Sequence, residues 1–279
     1  TMFMTSLERY PADLRDFLRI MSAFIVSFST EDAERVMKAT GGDPSVAHRA
    51  ITRFVKDGIL TAWGDKYRFS VEMLKKALYA GLLNHNKRII HAAIADIMAE
   101  RPSQNRLRHM HHLMRAERWA DAANVLLKDP ARNFRFEYLE HVEALYKRLS
   151  RQSPELASQL LMAKSALFFN AGRLDEAGSE LKRIMATAVE TRDDNCMGFA
   201  YHLSCSVSNM GYAFQKAKFT GQKALYYYRR AGMPSRSIQN VVRAIAFAEI
   251  MRNNFEEARQ LVDETETLPD RDLLEYASS

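Results

Sequence analysis

Three alanines, Ala177, Ala217 and Ala258, stand 40 and 41 residues apart, and each closes the same local phrase. A turn is followed by an aromatic residue or leucine and, three residues on, by the alanine: Gly172-Arg173-Leu174 to Ala177, Tyr212-Ala213-Phe214 to Ala217, and Asn253-Asn254-Phe255 to Ala258. Glu117-Arg118-Trp119 to Ala122 states the phrase once more, 55 residues before Ala177, an interval with room for an additional helix through Tyr138, Leu139, Val142, Leu145, Tyr146 and Leu149. Two antiparallel helices of ~14 to 18 residues with short connections need roughly 34 to 42 residues, and a small alanine just after the turn lets them approach closely. The period therefore calls for stacked helical hairpins. Leu174, Ala177, Ala217 and Ala258, with Phe54 and Leu78 upstream, are the positions expected to be buried.

The phrase resembles the tetratricopeptide repeat. Measured from Ala177, its usual small position falls on Ser165, its aromatic on Phe168 and its later large apolar position on Leu181. Gly221 stands where the next unit expects a large apolar residue, so the stack is expected to be less regular than a consensus array.

The first seventy residues follow another plan. Leu14, Phe17, Leu18 and Met21 recur at helical spacing, and Thr30, ahead of Glu31 and Glu34, opens a second helix that ends before Gly41-Gly42. Pro44 and Ser45 start a third helix with an apolar face of Val46, Ala47, Ala50, Ile51, Phe54 and Val55, closed by Asp57-Gly58. Ile59 to Trp63 and Lys66 to Phe69, around Gly64-Asp65, read as a β-hairpin. Three helices and a hairpin are the plan of a winged helix. A helical extension follows, with Met73, Leu74, Ala77, Leu78, Leu82 and Leu83 on one face, then Ile89, Ile90, Ala93, Ile94 and Ile97 on another; Asn84-His85-Asn86 is expected to separate them and Pro102 to end it. The expected architecture is mainly α: a winged helix over 1–70, a helical extension over 71–101 and an α-solenoid of tetratricopeptide-like hairpins over 102–279.

Composition agrees, since only 11 Gly and 7 Pro interrupt 279 residues of which 47% are hydrophobic. Lys164 breaks even the apolar stretch Leu160 to Phe169, so nothing approaches the ~20 residues of a membrane span, and no membrane partner is expected. No charged leader with an apolar run opens the chain, and Cys196 and Cys205 lack a CxxC partner set; the expectation is a cytoplasmic protein with reduced thiols. The strings GxxxxGK[ST], GxGxxG, HExxH and GxSxG are all missing, so the chain is expected to be no enzyme and to carry no cofactor. His109 and His112 could share a helix face as metal ligands, but a zinc site needs three or four converging ligands and no cysteine lies nearby; histidines packed between helices are the expectation, with no metal.

The net charge of +6 is uneven. Residues 1–100 hold 14 basic and 12 acidic side chains, 101–153 hold 11 and 6, and 154–279 hold 15 and 16. A DNA reader would place its cations on the third helix, where Arg49, Arg53 and Lys56 are the candidates beside His48 and Thr52, yet the surrounding charge is nearly balanced. The other candidate surface is the concave face of the array, made by the first helix of each pair. The repeat frame puts Gln159, Asn170, His202, Ser206, Asn209, Asn240 and Arg243 there, among Met162, Phe169, Phe199 and Phe247. His202 and Arg243 fall at the same position of successive repeats, where a forked guanidinium and a protonated imidazole could both donate to an anion.

The segment Tyr67-Arg68-Phe69-Ser70-Val71-Glu72-Met73-Leu74-Lys75-Lys76-Ala77-Leu78-Tyr79, with Arg88-Ile89-Ile90-His91 and Ile94-Ala95, resembles the YRFRHxLxREALYxxL…RxxLHxxIA stretch of signal-transduction ATPases with numerous domains, the STAND regulators of LuxR-like and cyclase-associated type. His111-His112-Leu113 through Trp119, Ala122-Ala123 and Leu126-Leu127 is similar to the AHHxxxAGDxxxALxYLL opening of their repeat region. Val71 replaces a frequent His and Lys76 a frequent Glu. The resemblance implies a nucleotide-binding domain in cis ahead of the winged helix, and a repeat sensor that takes a protein, peptide or small-molecule effector and relays it through the winged helix. The rival reading is a DNA-binding transcriptional regulator whose repeats mediate oligomerisation.

Overall fold

The computed structural model describes residues 7–101, 106–128 and 136–266, so Pro102 lies outside the described residues. The chain divides into two compact units, residues 1–126 and the remainder from Leu127. Sequence places the start of the repeats at 102, whereas compactness groups residues 106–126 with the first unit.

In the first unit, α1 (Ala12–Met21), α2 (Thr30–Ala39) and α3 (Val46–Lys56) precede β1 (Leu60–Trp63) and β2 (Lys66–Phe69). The strands pair antiparallel from Leu60↔Phe69 to Trp63↔Lys66, and Gly64, at φ +62°, takes the first of the two turn positions, where a tight hairpin favours glycine. Phe28 adds a short rung: its N–H donates to the Tyr67 carbonyl at 3.0 Å, and its carbonyl accepts from the Tyr67 N–H at 2.8 Å. Ser29, and not Thr30, caps α2. Its hydroxyl accepts from the Asp32 N–H at 3.1 Å while the Asp32 carboxylate accepts from the Ser29 N–H at 3.0 Å, a reciprocal capping box. Burial of Phe17, Phe28 and Phe54 makes the centre of this unit, with Phe17 and Phe54 stacked at 6.3 Å. Val55, expected on the buried face of α3, is exposed, because it lies off the stripe that carries Ala47, Ala50, Ile51 and Phe54.

Two further helices follow, α4 (Glu72–Ala80) and α5 (Asn84–Ala99). Asn84-His85-Asn86 forms the first turn of α5 and so does not separate the two; the break is at residues 81–83. Leu74 and Leu78 are buried, while Met73 and Leu83 of the expected face are 69% and 71% exposed. The described part of the unit ends with α6 (Arg106–Arg115) and α7 (Trp119–Leu127), whose last residue already belongs to the second unit.

The second unit holds α8 (Leu139–Leu149), the additional helix expected before the regular period, and then three hairpins: α9 (Pro154–Asn170) with α10 (Leu174–Thr191), α11 (Asp194–Met210) with α12 (Phe214–Arg230), and α13 (Ser235–Ile250) with α14 (Phe255–Glu266). Successive helices pack on one another, and the first helices also touch, α9 with α11 and α11 with α13. Ala177 and Ala217 are fully buried and Ala258 nearly so, as are Ser165, Phe168 and Leu181. Leu174 is only half-buried, since it is the first residue of α10, beside the turn that joins it to α9.

Each hairpin turn is built on one left-handed residue: Gly172 (φ +73°), Tyr212 (φ +58°) and Asn253 (φ +63°), with Glu117 (φ +60°) in the matching place between α6 and α7. The N–H after each one reaches back to the preceding helix, Arg173 to the Phe168 carbonyl, Ala213 to that of Ser208 and Asn254 to that of Glu249, at 2.8–2.9 Å, as a Schellman cap requires.

Gly221 does not loosen the stack. A Cβ there would stand 2.4 Å from Cγ1 of Ile245 on the next first helix and 3.3 Å from the Cys205 sulfur, so its neighbours occupy the missing side chain's volume. Gly198 is covered in the same way by the Tyr228 ring, 2.4 Å from its built Cβ.

Candidate functional site

The first-helix candidates divide by what holds them; Ser206 is held within its own helix, its hydroxyl donating to the His202 carbonyl at 3.3 Å. Asn209 is a strut: its Nδ2 donates to the Ala244 carbonyl at 2.8 Å, tying α11 to α13. His202, about two turns earlier on the same helix, sits edge-on to Tyr228 at 6.0 Å, and burial pushes its pKa down to about 4. A neutral imidazole donates one N–H only, so the protonated donor expected beside Arg243 is absent at neutral pH. Gln159 is half-buried, whereas Asn170, Asn240 and Arg243 are exposed. Arg243 has no acceptor among the described residues. Glu249, six residues on, is fully buried and engaged elsewhere, accepting from Asn254 at 2.6 Å and pairing with Arg252 at 3.0 Å and Lys218 at 3.1 Å. Burial would raise its pKa, but those three donors hold it below the usual glutamate value. An acidic residue inside the apolar run Ile245 to Ile250 was the signal for this network.

Residues His202 and Arg243 thus share a repeat position without sharing a surroundings. The α11 face is covered by α13, and among the described residues no further hairpin covers the equivalent face of α13, where Phe247 and Ile250 are also exposed. Asn170, Asn240 and Arg243 remain the exposed members with no side-chain partner among the described residues.

The histidine cluster of α6 is structural. His112 turns to His91 on α5, Nδ1 to Nδ1 at 2.7 Å, and His91 Nε2 meets the Tyr79 hydroxyl at 2.8 Å. One proton between the rings and one at the hydroxyl satisfy the chain in either direction. His109 does not join it, and among the described residues no group of three or more His, Cys, Asp or Glu could hold a metal. Burial, reinforced by neighbouring positive charge, pushes His91 down to about 3 and His112 to about 2. The unfolded chain takes up these protons at ordinary histidine pKa, near 6.5, and the folded one does not, so stability falls as pH drops from there towards 3. Urea unfolding of the first unit followed against pH is expected to show this decline, and replacing both rings by glutamine to flatten it. Cys196 and Cys205 are buried free thiols pushed up to about 12 and about 11 by burial, which leaves them without thiolate character.

The DNA candidates on α3 are largely spent. Arg49 pairs with Asp13, and Arg53 pairs with Asp57 at 2.8 Å beside the Tyr10 ring; Lys56 alone has no partner among the described residues. Duplex binding through this helix is expected to be weak, salt-sensitive and indifferent to sequence. A gel-shift titration that retains a defined duplex at nanomolar protein and physiological salt would contradict this.

No family model matches the chain, and no curated protein matches it. Among solved structures, the fold is similar to that of a signal-transduction ATPase with numerous domains carrying a tetratricopeptide repeat sensor, from Pyrococcus horikoshii, with a TM-score of 0.51 and 15% identity. The match covers 94% of this chain and 45% of that one, so the chain spans less than half the length of that protein. At this identity the likeness is one of fold: mainly α, with a tetratricopeptide-like α-solenoid. Among the described residues no helix is long and apolar enough to cross a membrane.

Proposed function

We propose that the chain is the regulatory and sensor portion of a STAND-type signalling ATPase, without catalysis of its own. The repeats take a protein, peptide or small ligand, and residues 7–69, acting as a winged helix, relay its presence to a nucleotide-binding domain in cis. A ligand that favours one arrangement of such a protein needs only a few kcal/mol of differential affinity to release an inhibitory contact. The observation that carries the ligand site is Arg243: an exposed guanidinium on a first helix, free of any acceptor among the described residues, with Asn240 one turn before it. Gln159, half-buried, and Asn170, exposed, offer further amides on α9, the first helix of another hairpin. A carboxylate-bearing ligand is the chemistry a forked donor beside an amide suits best.

The test uses dicarboxylates and acidic tetrapeptides as probes in calorimetric titration. Arg243→Ala should weaken the best probe by ~1.5 kcal/mol or more and leave the melting transition unchanged, because nothing in the fold leans on that side chain. Undiminished binding with early melting would make Arg243 a scaffold residue. The transcriptional-regulator reading draws no comparable support, since two of its three cations already hold carboxylates.

A further inference from the structure

Helix α12 carries five cations, Lys216, Lys218, Lys223, Arg229 and Arg230, and no acidic residue. The region to which it belongs is otherwise balanced, with 15 basic and 16 acidic residues from 154 to 279, so positive charge has been gathered onto one helix. Lys218 is neutralised by Glu249 and Glu257, and Arg230 by Asp194. Lys216, Lys223 and Arg229 have no carboxylate partner among the described residues.

Two aromatic rings interrupt these cations on the exposed face, Phe219 at 57% and Tyr226 at 53% exposure. Each ring lies beside a cation, Lys223 at 5.7 Å from the Phe219 centroid and Arg230 at 5.5 Å from that of Tyr226. Each also edges an open hollow: one of about 740 Å³ holds Phe219 and Lys216, and one of about 460 Å³ holds Tyr226, Gln222 and Arg229. Seven residues separate the rings, which is about 10.5 Å along a helix. A ring with a cation and a hollow is thus stated twice on one surface.

We propose that this face of α12 binds single-stranded nucleic acid, with bases stacking at Phe219 and Tyr226 and phosphates meeting Lys216, Lys223 and Arg229. Planar rings alternating with cations match a strand that alternates planar bases with phosphates, and the match is indifferent to sequence. An extended acidic peptide would find the charges but no free backbone donors or acceptors, because those of a helix are already paired.

Fluorescence anisotropy of a labelled twelve-nucleotide oligo-dT and oligo-U, titrated with the whole chain from low to physiological salt, tests this. Three phosphate contacts predict a slope of log K against log salt of about −2. Phe219→Ala with Tyr226→Ala should weaken binding at least about tenfold, with the folded state intact since both rings are exposed. Lys223→Glu with Arg229→Glu should abolish it. Three results would overturn the proposal: no anisotropy change at low salt, binding insensitive to loss of both rings, or polyglutamate bound more tightly than the oligonucleotide.

Discussion

Replacing Ala177 by Arg should cost the repeat unit ~3 kcal/mol or more. Ala177 is fully buried at the start of α10, so an arginine there either drives its stem into packed neighbours or leaves its charge unpaired. Ala186→Arg on the exposed side of the same helix should change stability by no more than about 0.5 kcal/mol. Urea unfolding of both variants separates close packing from a general effect of added charge. An Ala177→Arg midpoint equal to the parent's would mean the hairpin frame is misplaced.

The second large effect distinguishes two glycines. A tetratricopeptide consensus would put a large apolar residue at 221, yet Gly221→Leu should destabilise by ~3 kcal/mol, because even a Cβ would stand 2.4 Å from Ile245. Gly178, in the interior of α10, has nothing within 4 Å of its built Cβ. Gly178→Ala should therefore stabilise by about 0.5 to 1 kcal/mol, the ordinary gain of removing a helix-interior glycine. The same unfolding assay reads both signs, and a stabilising Gly221→Leu would show that α12 and α13 do not pack through that position.

What could be read in advance was whatever a short window encodes. The alanine period located the hairpins because a small residue after a turn is a local requirement, and Asp57-Gly58 and Gly64-Asp65 marked real turns because glycine at positive φ is one too. Tyr212 and Glu117 adopt the same left-handed state without any local signal, since the Schellman bonds of the surrounding helix hold them there. The rest depended on partners far along the chain. His112 finds His91 across two helices, Asn209 finds a carbonyl 35 residues away, and Phe28 finds Tyr67. Periodicity lists a helix face but not which neighbour will cover it, and for this reason His202 and Arg243, identical in repeat position, differ in exposure and charge.

The central claim is that these repeats serve a nucleotide-dependent switch in cis, and the measurement that meets it most directly is the nucleotide sequence of the coding region ahead of Thr1. The account predicts an uninterrupted reading frame with a GxxxxGK[ST] phosphate loop within the few hundred codons upstream. A start codon at Met2 or Met4, with no open frame before it, would contradict the account and leave a self-standing regulator.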